Sequence, residues 1–127
     1  MQDKHLYEYA VIRVLPRVER EEFLNVGIIL FCKRENFLKV RYHLDEIRLR
    51  CLCEDFDIEE IRKNLESFEK ICRGTHDGGP IARLDVPSRF RWLTAVRSSV
   101  IQTSRPHPGM SITLEDTVHR LFSEMVL

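Results

Sequence analysis

The chain has 127 residues, of which 43% are hydrophobic and 31% are charged, with 20 basic and 20 acidic side chains. That length and balance are typical of one globular domain with its own apolar core, and they exclude an intrinsically disordered protein. Because the formal net charge is zero, we expect neither general nucleic-acid binding nor attraction to an anionic membrane. We therefore interpret residues 1–127 as a single domain.

The sequence contains no segment typical of export or membrane insertion. Residues 1–5 are polar, and the longest apolar run, Val26 to Cys32, is too short to cross a bilayer. These features predict a cytoplasmic protein.

The four cysteines do not form a recognisable metal motif. Cys32 and Cys72 fall on apolar segments, where we expect buried thiols. Cys51 and Cys53 are separated by one residue, whereas a zinc knuckle has two or more between its ligands. The sequence therefore predicts reduced thiols, no metal and no cofactor.

Three strands are predicted in the amino-terminal third of the chain. Leu6–Leu15 is rich in β-branched and aromatic residues on both faces, which predicts a strand covered on both sides. Phe23–Cys32 is a second strand, and Gly27 within it predicts a bulge or a close backbone approach. A hairpin loop with Asn36 in a left-handed conformation leads to Phe37–Tyr42, which alternates like a half-exposed strand.

The periodicity then becomes helical. Asp45 is expected to cap a short helix ending near Leu52, and Asp57 a longer amphipathic helix that stops at Arg73–Gly74. The rest of the pattern predicts a helix over Pro87–Val96, a fourth strand over Ser98–Thr103, a turn over Pro106–Gly109 and a last helix starting at Thr113.

The resulting element order is β-β-β-α-α-α-β-α. It predicts an α+β fold with an antiparallel three-stranded meander, a returning strand, and helices packed on the sheet. The pattern leaves open whether the returning strand is parallel or antiparallel to its neighbour.

Several blocks of the sequence resemble a bacterial family catalogued as domain of unknown function 3037. The residues that carry the resemblance are Tyr7–Val14, Pro16–Gly27, Leu44–Asp45, Gly79–Ile81, Arg89–Trp92, Arg97–Ser98, Val100–Gln102, His107 and Gly109. The resemblance covers nearly the whole chain. It implies a companion of a kinase of the HipA type encoded beside it, but it implies no activity and no site residues.

The first candidate polar surface is the charged segment between the first two strands. Glu19, Glu21 or Glu22 could act as a general base or metal carboxylate, and Arg17 or Arg20 could hold an anion, with Asn25 nearby. The alternative is a solvated loop joined by salt bridges, which is the usual role of such charge runs.

The second candidate surface includes the most basic stretch of the chain, Arg97 to His107. Its members are Arg83, Arg89, Arg91, Trp92, Arg97, Ser98, Gln102, Arg105 and His107. Arginines near an exposed tryptophan could bind phosphate or stack on a base, although we expect Trp92 to be in the core. His107 lies between two prolines, where it could carry protons or remain an exposed loop residue.

Three functions are consistent with these features. We expect a protein-binding accessory or regulatory domain, with the HipA-type kinase as a possible partner and with homodimerisation through an uncovered strand edge as a further possibility. One alternative is a small enzyme or a binder of nucleotides or phosphate, although no catalytic motif is present and we do not expect an enzyme. The other alternative is a nucleic-acid-binding module.

Overall fold

A computed structural model describes residues 3–97 and 99–127 of the chain. Within these residues a five-stranded antiparallel sheet has the order β3-β2-β1-β4, and β5 also pairs with β1. This arrangement confirms the predicted α+β fold and adds one strand to it. The strands are β1 (His5–Val14), β2 (Leu24–Cys32), β3 (Phe37–Tyr42), β4 (Ile101–Thr103) and β5 (His107–Ser111).

The β1–β2 pair contains the irregularity that Gly27 predicted. The register shifts after Ile12, so that Gly27 lies opposite Ile12 and Asn25 lies opposite Arg13. A Cβ atom on Gly27 would lie 2.7 Å from the carbonyl oxygen of Arg41, which leaves room only for glycine. The shift thus places Asn25 and Arg13 side by side on one face of the sheet.

The returning strand runs antiparallel to β1 and is interrupted once. β4 pairs with the end of β1, and β5 pairs with its beginning. Ser104 joins the two pieces: its amide donates to the Val11 carbonyl at 2.8 Å, and its hydroxyl accepts from the Val11 amide at 2.9 Å. The hydroxyl replaces a backbone carbonyl, so the edge continues without an unpaired amide.

The predicted turn over Pro106–Gly109 is wrong, because this segment enters β5. Pro108 lies opposite Glu8, where its nitrogen faces away from β1. A proline is compatible with an edge strand when the missing N–H would have pointed outward. The turn-forming composition therefore concealed a strand.

Four α-helices complete the fold in the described ranges, and their bounds are α1 (Glu46–Leu52), α2 (Ile58–Arg73), α3 (Val86–Leu93) and α4 (Leu114–Met125). The predicted caps are confirmed: Asp45 accepts hydrogen bonds from two amides of the first turn of α1, and Asp57 accepts from the Glu60 amide. Gly74 ends α2 in the left-handed conformation. None of these helices combines the length and the apolarity that a membrane span needs.

The helices form two layers, one on each face of the sheet. Helices α1, α2 and α3 cover one face, where Phe90 stacks on Phe31 with ring centroids 4.8 Å apart. Helix α4 covers the other face through Leu114, Val118, Leu121 and Phe122, and Val126 follows directly after it. Strand β1 is thus covered on both sides over most of its length, as its composition predicted.

The position of Trp92 differs from the prediction. Its side chain is 38% exposed, while Phe90 and Leu93 of the same helix are buried as expected. The Arg97 guanidinium lies 4.2 Å from the centre of the indole ring. Trp92 therefore packs against a cation at the surface, and not against the apolar core.

Candidate functional site

Both arginines of the charged connection between β1 and β2 pair with glutamates of the same connection. The Arg17 Nε donates to Glu19 Oε1 at 3.0 Å, and Arg20 forms an ion pair with Glu22. All four side chains are exposed. A backbone hydrogen bond at Glu19, and then the Arg17 side chain, lower the pKa of the Glu19 carboxyl. This pairing is what a solvated salt-bridged loop would show.

The connection contributes to two separate surfaces. Arg17, Arg20 and Glu22 lie beside the end of α1, where they border a very small recess with Leu52 and Cys53. Three other side chains of this segment, those of Val18, Glu21 and Phe23, line a larger cleft. The predicted polar set is therefore divided by the fold.

The larger cleft has a volume of about 590 Å³, and we call it the Arg13 cleft. It lies between the β1–β2 connection and the segment that follows α3. Two arginines, one glutamate and one glutamine provide its polar groups, and the remainder of its lining is apolar. The lining residues are Arg13, Leu15, Val18, Glu21, Phe23, Val96, Arg97 and Gln102.

The cleft exists because α4 ends before β1 does. Residues Tyr7 and Val11 pack against α4, and the alternation of the strand puts Arg13 on the same face, beyond the helix. Asn25 marks the limit of the helix, since its Nδ2 donates to the Met125 carbonyl at 3.2 Å. Strand register places Asn25 and Gln102 on either side of Arg13. A polar row thus crosses three strands where the helix stops.

Arg13 is half-buried and its charge has no partner in the described parts of the chain. Its Nε is buried without a hydrogen-bond acceptor, and none of the ion pairs in these residues includes it. The guanidinium carbon lies 4.1 Å from the centre of the Phe23 ring. This stacking fixes the plane of the guanidinium, so that its donors are oriented but unsatisfied.

The opposite wall of the cleft is formed by the segment after α3. Arg97 donates a hydrogen bond to the Trp92 carbonyl while stacking on its indole ring. Val96 is completely exposed, and Phe23 on the facing wall is 42% exposed. Exposed aromatic and apolar side chains therefore stand beside two arginines at one place on the surface.

The other predicted site residues either lie away from the Arg13 cleft or fall outside the residues that the structure describes. His107 lies opposite Tyr9, with the ring centroids 5.4 Å apart. Tyr9 is four positions before Arg13 on β1, which corresponds to about 13 Å in an extended strand. Ser98 is outside the described residues. Of the residues predicted to form a site, Arg97 joins the connection at the cleft, whereas His107 does not.

The sequence interpretation missed Arg13 and Phe23 as site residues, whereas Glu21, which also lines the cleft, was among the candidate carboxylates of the charged segment. A signal was present, because Arg13 is a basic residue in a strand whose two faces were predicted to be covered. A charge in that position needs either a partner or an opening in the cover. Since the sequence cannot show where α4 ends relative to β1, the signal could not be interpreted.

No metal centre is formed within residues 3–97 and 99–127, where no group of three His, Cys, Asp or Glu side chains could hold an ion. Cys51 is exposed, and the Cys53 thiol donates to the Asp55 carbonyl at 3.2 Å. Cys32 and Cys72 are buried, as predicted.

Comparison with known proteins identifies a family. The family profile described as "Protein of unknown function (DUF3037)" matches residues 9–126. No curated protein and no solved structure gives a significant match to the chain.

Proposed function

Since the chain belongs to the DUF3037 family, whose description assigns no activity, we propose its function from its geometry: it is a protein-binding accessory domain. Its docking surface is the Arg13 cleft, and its partner is the kinase of the HipA type that the sequence resemblance implies. The observation that carries the proposal is the concentration of exposed Phe23 and Val96 around two arginines that form no ion pair within residues 3–97 and 99–127.

The composition of the cleft supports protein docking. Energetically dominant residues of protein interfaces are enriched in tryptophan, tyrosine and arginine, in pockets that exclude water once filled. The cleft combines Arg13 and Arg97 with Phe23, and Trp92 stands directly behind Arg97. The apolar side chains would be buried on docking, and the unsatisfied Arg13 donors would gain an acceptor.

The alternative functions have less support from the geometry. A nucleotide or phosphate enzyme was expected to use Arg97 and His107 together with the charged connection. Arg97 meets Val18 and Glu21 of the connection at the cleft, whereas His107 lies opposite Tyr9, further back along β1. A nucleic-acid surface was expected in the region from Arg83 to Arg105, which includes Arg89 and Arg91. Arg89 instead donates to the Leu84 carbonyl at 3.0 Å, and Arg91 forms a bidentate ion pair with Glu8 at 2.8 and 3.1 Å. Neither arginine is left to contact phosphates.

Co-purification of the tagged chain with the neighbouring kinase tests the proposal. The informative variant is Val96→Asp, because Val96 is fully exposed and the substitution costs no packing within the chain. We expect Val96→Asp to reduce the recovered kinase at least tenfold, since a carboxylate would be buried beside an apolar partner.

The matched control is Ile47→Asp on α1, which is 78% exposed and lies away from the cleft. We expect the kinase to be retained by this variant at the wild-type level. Absence of any complex at micromolar concentration would contradict the proposed partner. Equal binding by both variants would show that the kinase docks elsewhere than in the cleft.

A further inference from the structure

We infer that Arg13 is the anchor of the cleft and that it binds a carboxylate attached to an apolar group, such as an acidic side chain beside a hydrophobic one in a docked segment. This inference rests on the proposed function, and it identifies the group that the Arg13 cleft recognises. Three observations support it: the unsatisfied donor of Arg13, the commitment of its neighbours to other partners, and the charge of the lining.

The geometry of Arg13 selects a planar oxyanion. The two terminal nitrogens of a guanidinium form an edge that matches the two oxygens of a carboxylate. In Arg13 the Nε is buried and unpaired, and the centre of the Phe23 ring lies 4.1 Å from the guanidinium carbon on one face of the group. Because the Nε is buried and one face is covered, a ligand in the cleft contacts the edge formed by the terminal nitrogens.

The neighbours of Arg13 cannot neutralise it. Asn25 and Gln102 face it across the sheet, but both are neutral amides. The Asn25 Nδ2 is held by the Met125 carbonyl at 3.2 Å, and the Gln102 Nε2 by the Ser99 carbonyl at 2.9 Å. These bonds engage only the amide nitrogens, and the Asn25 Oδ1 is buried without a hydrogen-bond partner. Since neither amide carries a charge, the charge of Arg13 remains available to an incoming anion.

The charge of the lining favours a monoanion. Arg13 and Arg97 contribute two positive charges and Glu21 one negative charge, which leaves a single net positive charge. A carboxylate matches that charge, whereas a phosphate dianion would exceed it and would be repelled by Glu21. The apolar lining of Leu15, Val18 and Phe23 then accommodates a hydrocarbon group next to the carboxylate.

The test uses 3-phenylpropionate as the probe and compares it with its neutral amide and with inorganic phosphate at constant ionic strength. Binding is followed by the NMR signal of the Arg13 Nε–H group and by the fluorescence of Trp92, the single tryptophan of the chain. We expect 3-phenylpropionate to give saturable shifts with a dissociation constant in the millimolar range, as befits a small ligand. We expect the amide and phosphate to bind at least tenfold more weakly.

Two variants locate the binding. Arg13→Lys keeps the charge but cannot form a two-point contact, and we expect it to weaken 3-phenylpropionate binding at least fivefold. Arg105→Gln removes an exposed charge that does not line the cleft, and we expect no change in affinity. Fluorescence allows both variants to be measured with the same reporter.

The inference is overturned if 3-phenylpropionate gives no saturable shift, if phosphate or the amide binds equally well, or if Arg105→Gln has the same effect as Arg13→Lys. Its failure is distinct from failure of the proposed function. Loss of kinase binding in Val96→Asp without any 3-phenylpropionate binding would retain the docking surface and remove Arg13 as its carboxylate anchor. The reverse result is 3-phenylpropionate binding without any loss of kinase binding in Val96→Asp. It would retain Arg13 as a carboxylate anchor and show that the kinase does not dock at the cleft.

Discussion

The two halves of β1 differ sharply on the face that carries α4. In the first half, Tyr7 and Val11 are buried beneath the helix. In the second half the strand continues past the helix, and the residue that follows in the alternation is Arg13, whose charge faces an open cleft. The comparison shows that one continuous strand can serve both core and surface, and that the length of the covering helix decides which.

The arginines of the molecule show the same contrast. Arg17, Arg20 and Arg91 each have a carboxylate partner, although the first two lie in the most highly charged part of the sequence. Arg13 and Arg97 instead contact aromatic rings and have no such partner among the described residues. Local charge density therefore did not indicate the proposed docking surface, which is marked instead by unpaired arginines that contact aromatic rings.

The largest expected effect concerns stability in the half of β1 that α4 covers. Leu121 is 3% exposed in the contact between α4 and the sheet, so Leu121→Ala should lower the free energy of unfolding by about 3 kcal/mol through lost burial and a cavity. Urea denaturation measures the change. Leu6→Ala, at a residue that is 63% exposed, is the matched control and should cost less than about 1 kcal/mol.

Covered groups also resist ionisation, and Cys72 should show this. Burial raises the pKa of its thiol to about 12, above the value of 9.0 for an unperturbed thiol. The unfolded chain therefore loses this proton above pH 9 while the folded chain retains it, so the free energy of unfolding falls as the pH rises, by about 1 kcal/mol at pH 10. We expect Cys72→Ala, although less stable overall, to lose less stability than the wild type between pH 8 and pH 10. Equal losses of stability in Cys72→Ala and in the wild type would show that ionisation of the Cys72 thiol does not cause the decrease.

In the second half of β1, a substitution within the chain can give Arg13 an ion-pair partner. Gln102→Glu places a carboxylate on the strand next to Arg13 with almost no change in shape. We expect affinity for 3-phenylpropionate to fall about fivefold, since an internal ion pair near the surface is worth up to about 1 kcal/mol and competes for the same donors. Calorimetric titration measures the change, and an unaltered affinity would show that the ligand does not bind to Arg13.

The smallest effect is expected for the stability of Arg13 variants. Arg13→Met retains much of the apolar contact with Phe23 and removes a buried donor that has no acceptor. We therefore expect the free energy of unfolding to change by less than about 1 kcal/mol, while carboxylate binding is lost. A large loss of stability would mean that Arg13 supports the fold, and the contrast between the two halves of β1 would disappear.

Much of the fold follows from local patterns in the sequence. The alternation of Phe37–Tyr42, the capping residues Asp45 and Asp57, and the glycine at the end of α2 each specify an element through contacts within a few residues. Strand β5 could not be predicted in this way, because a segment rich in proline and glycine becomes a strand only through its pairing with the start of β1. That pairing is a long-range contact.

The site was harder to predict, for the same physical reason. The ion pairs of the β1–β2 connection are local, and the interpretation as a solvated loop already described them. The Arg13 cleft depends on where α4 ends, on the register shift beside Gly27 and on the return of the chain after α3. Trp92 was misplaced because its cover is Arg97, a polar side chain, and not the core.

Pro108 has a consequence for assembly. A strand that joins a sheet from outside needs alternating donors and acceptors along the exposed side, and here the pyrrolidine ring interrupts that series in the middle of β5. Backbone ladders between copies of the chain are thereby discouraged along this side, and fibril-like stacking with them. Any self-association there would have to proceed through side-chain contacts, such as those of the neighbouring Met110.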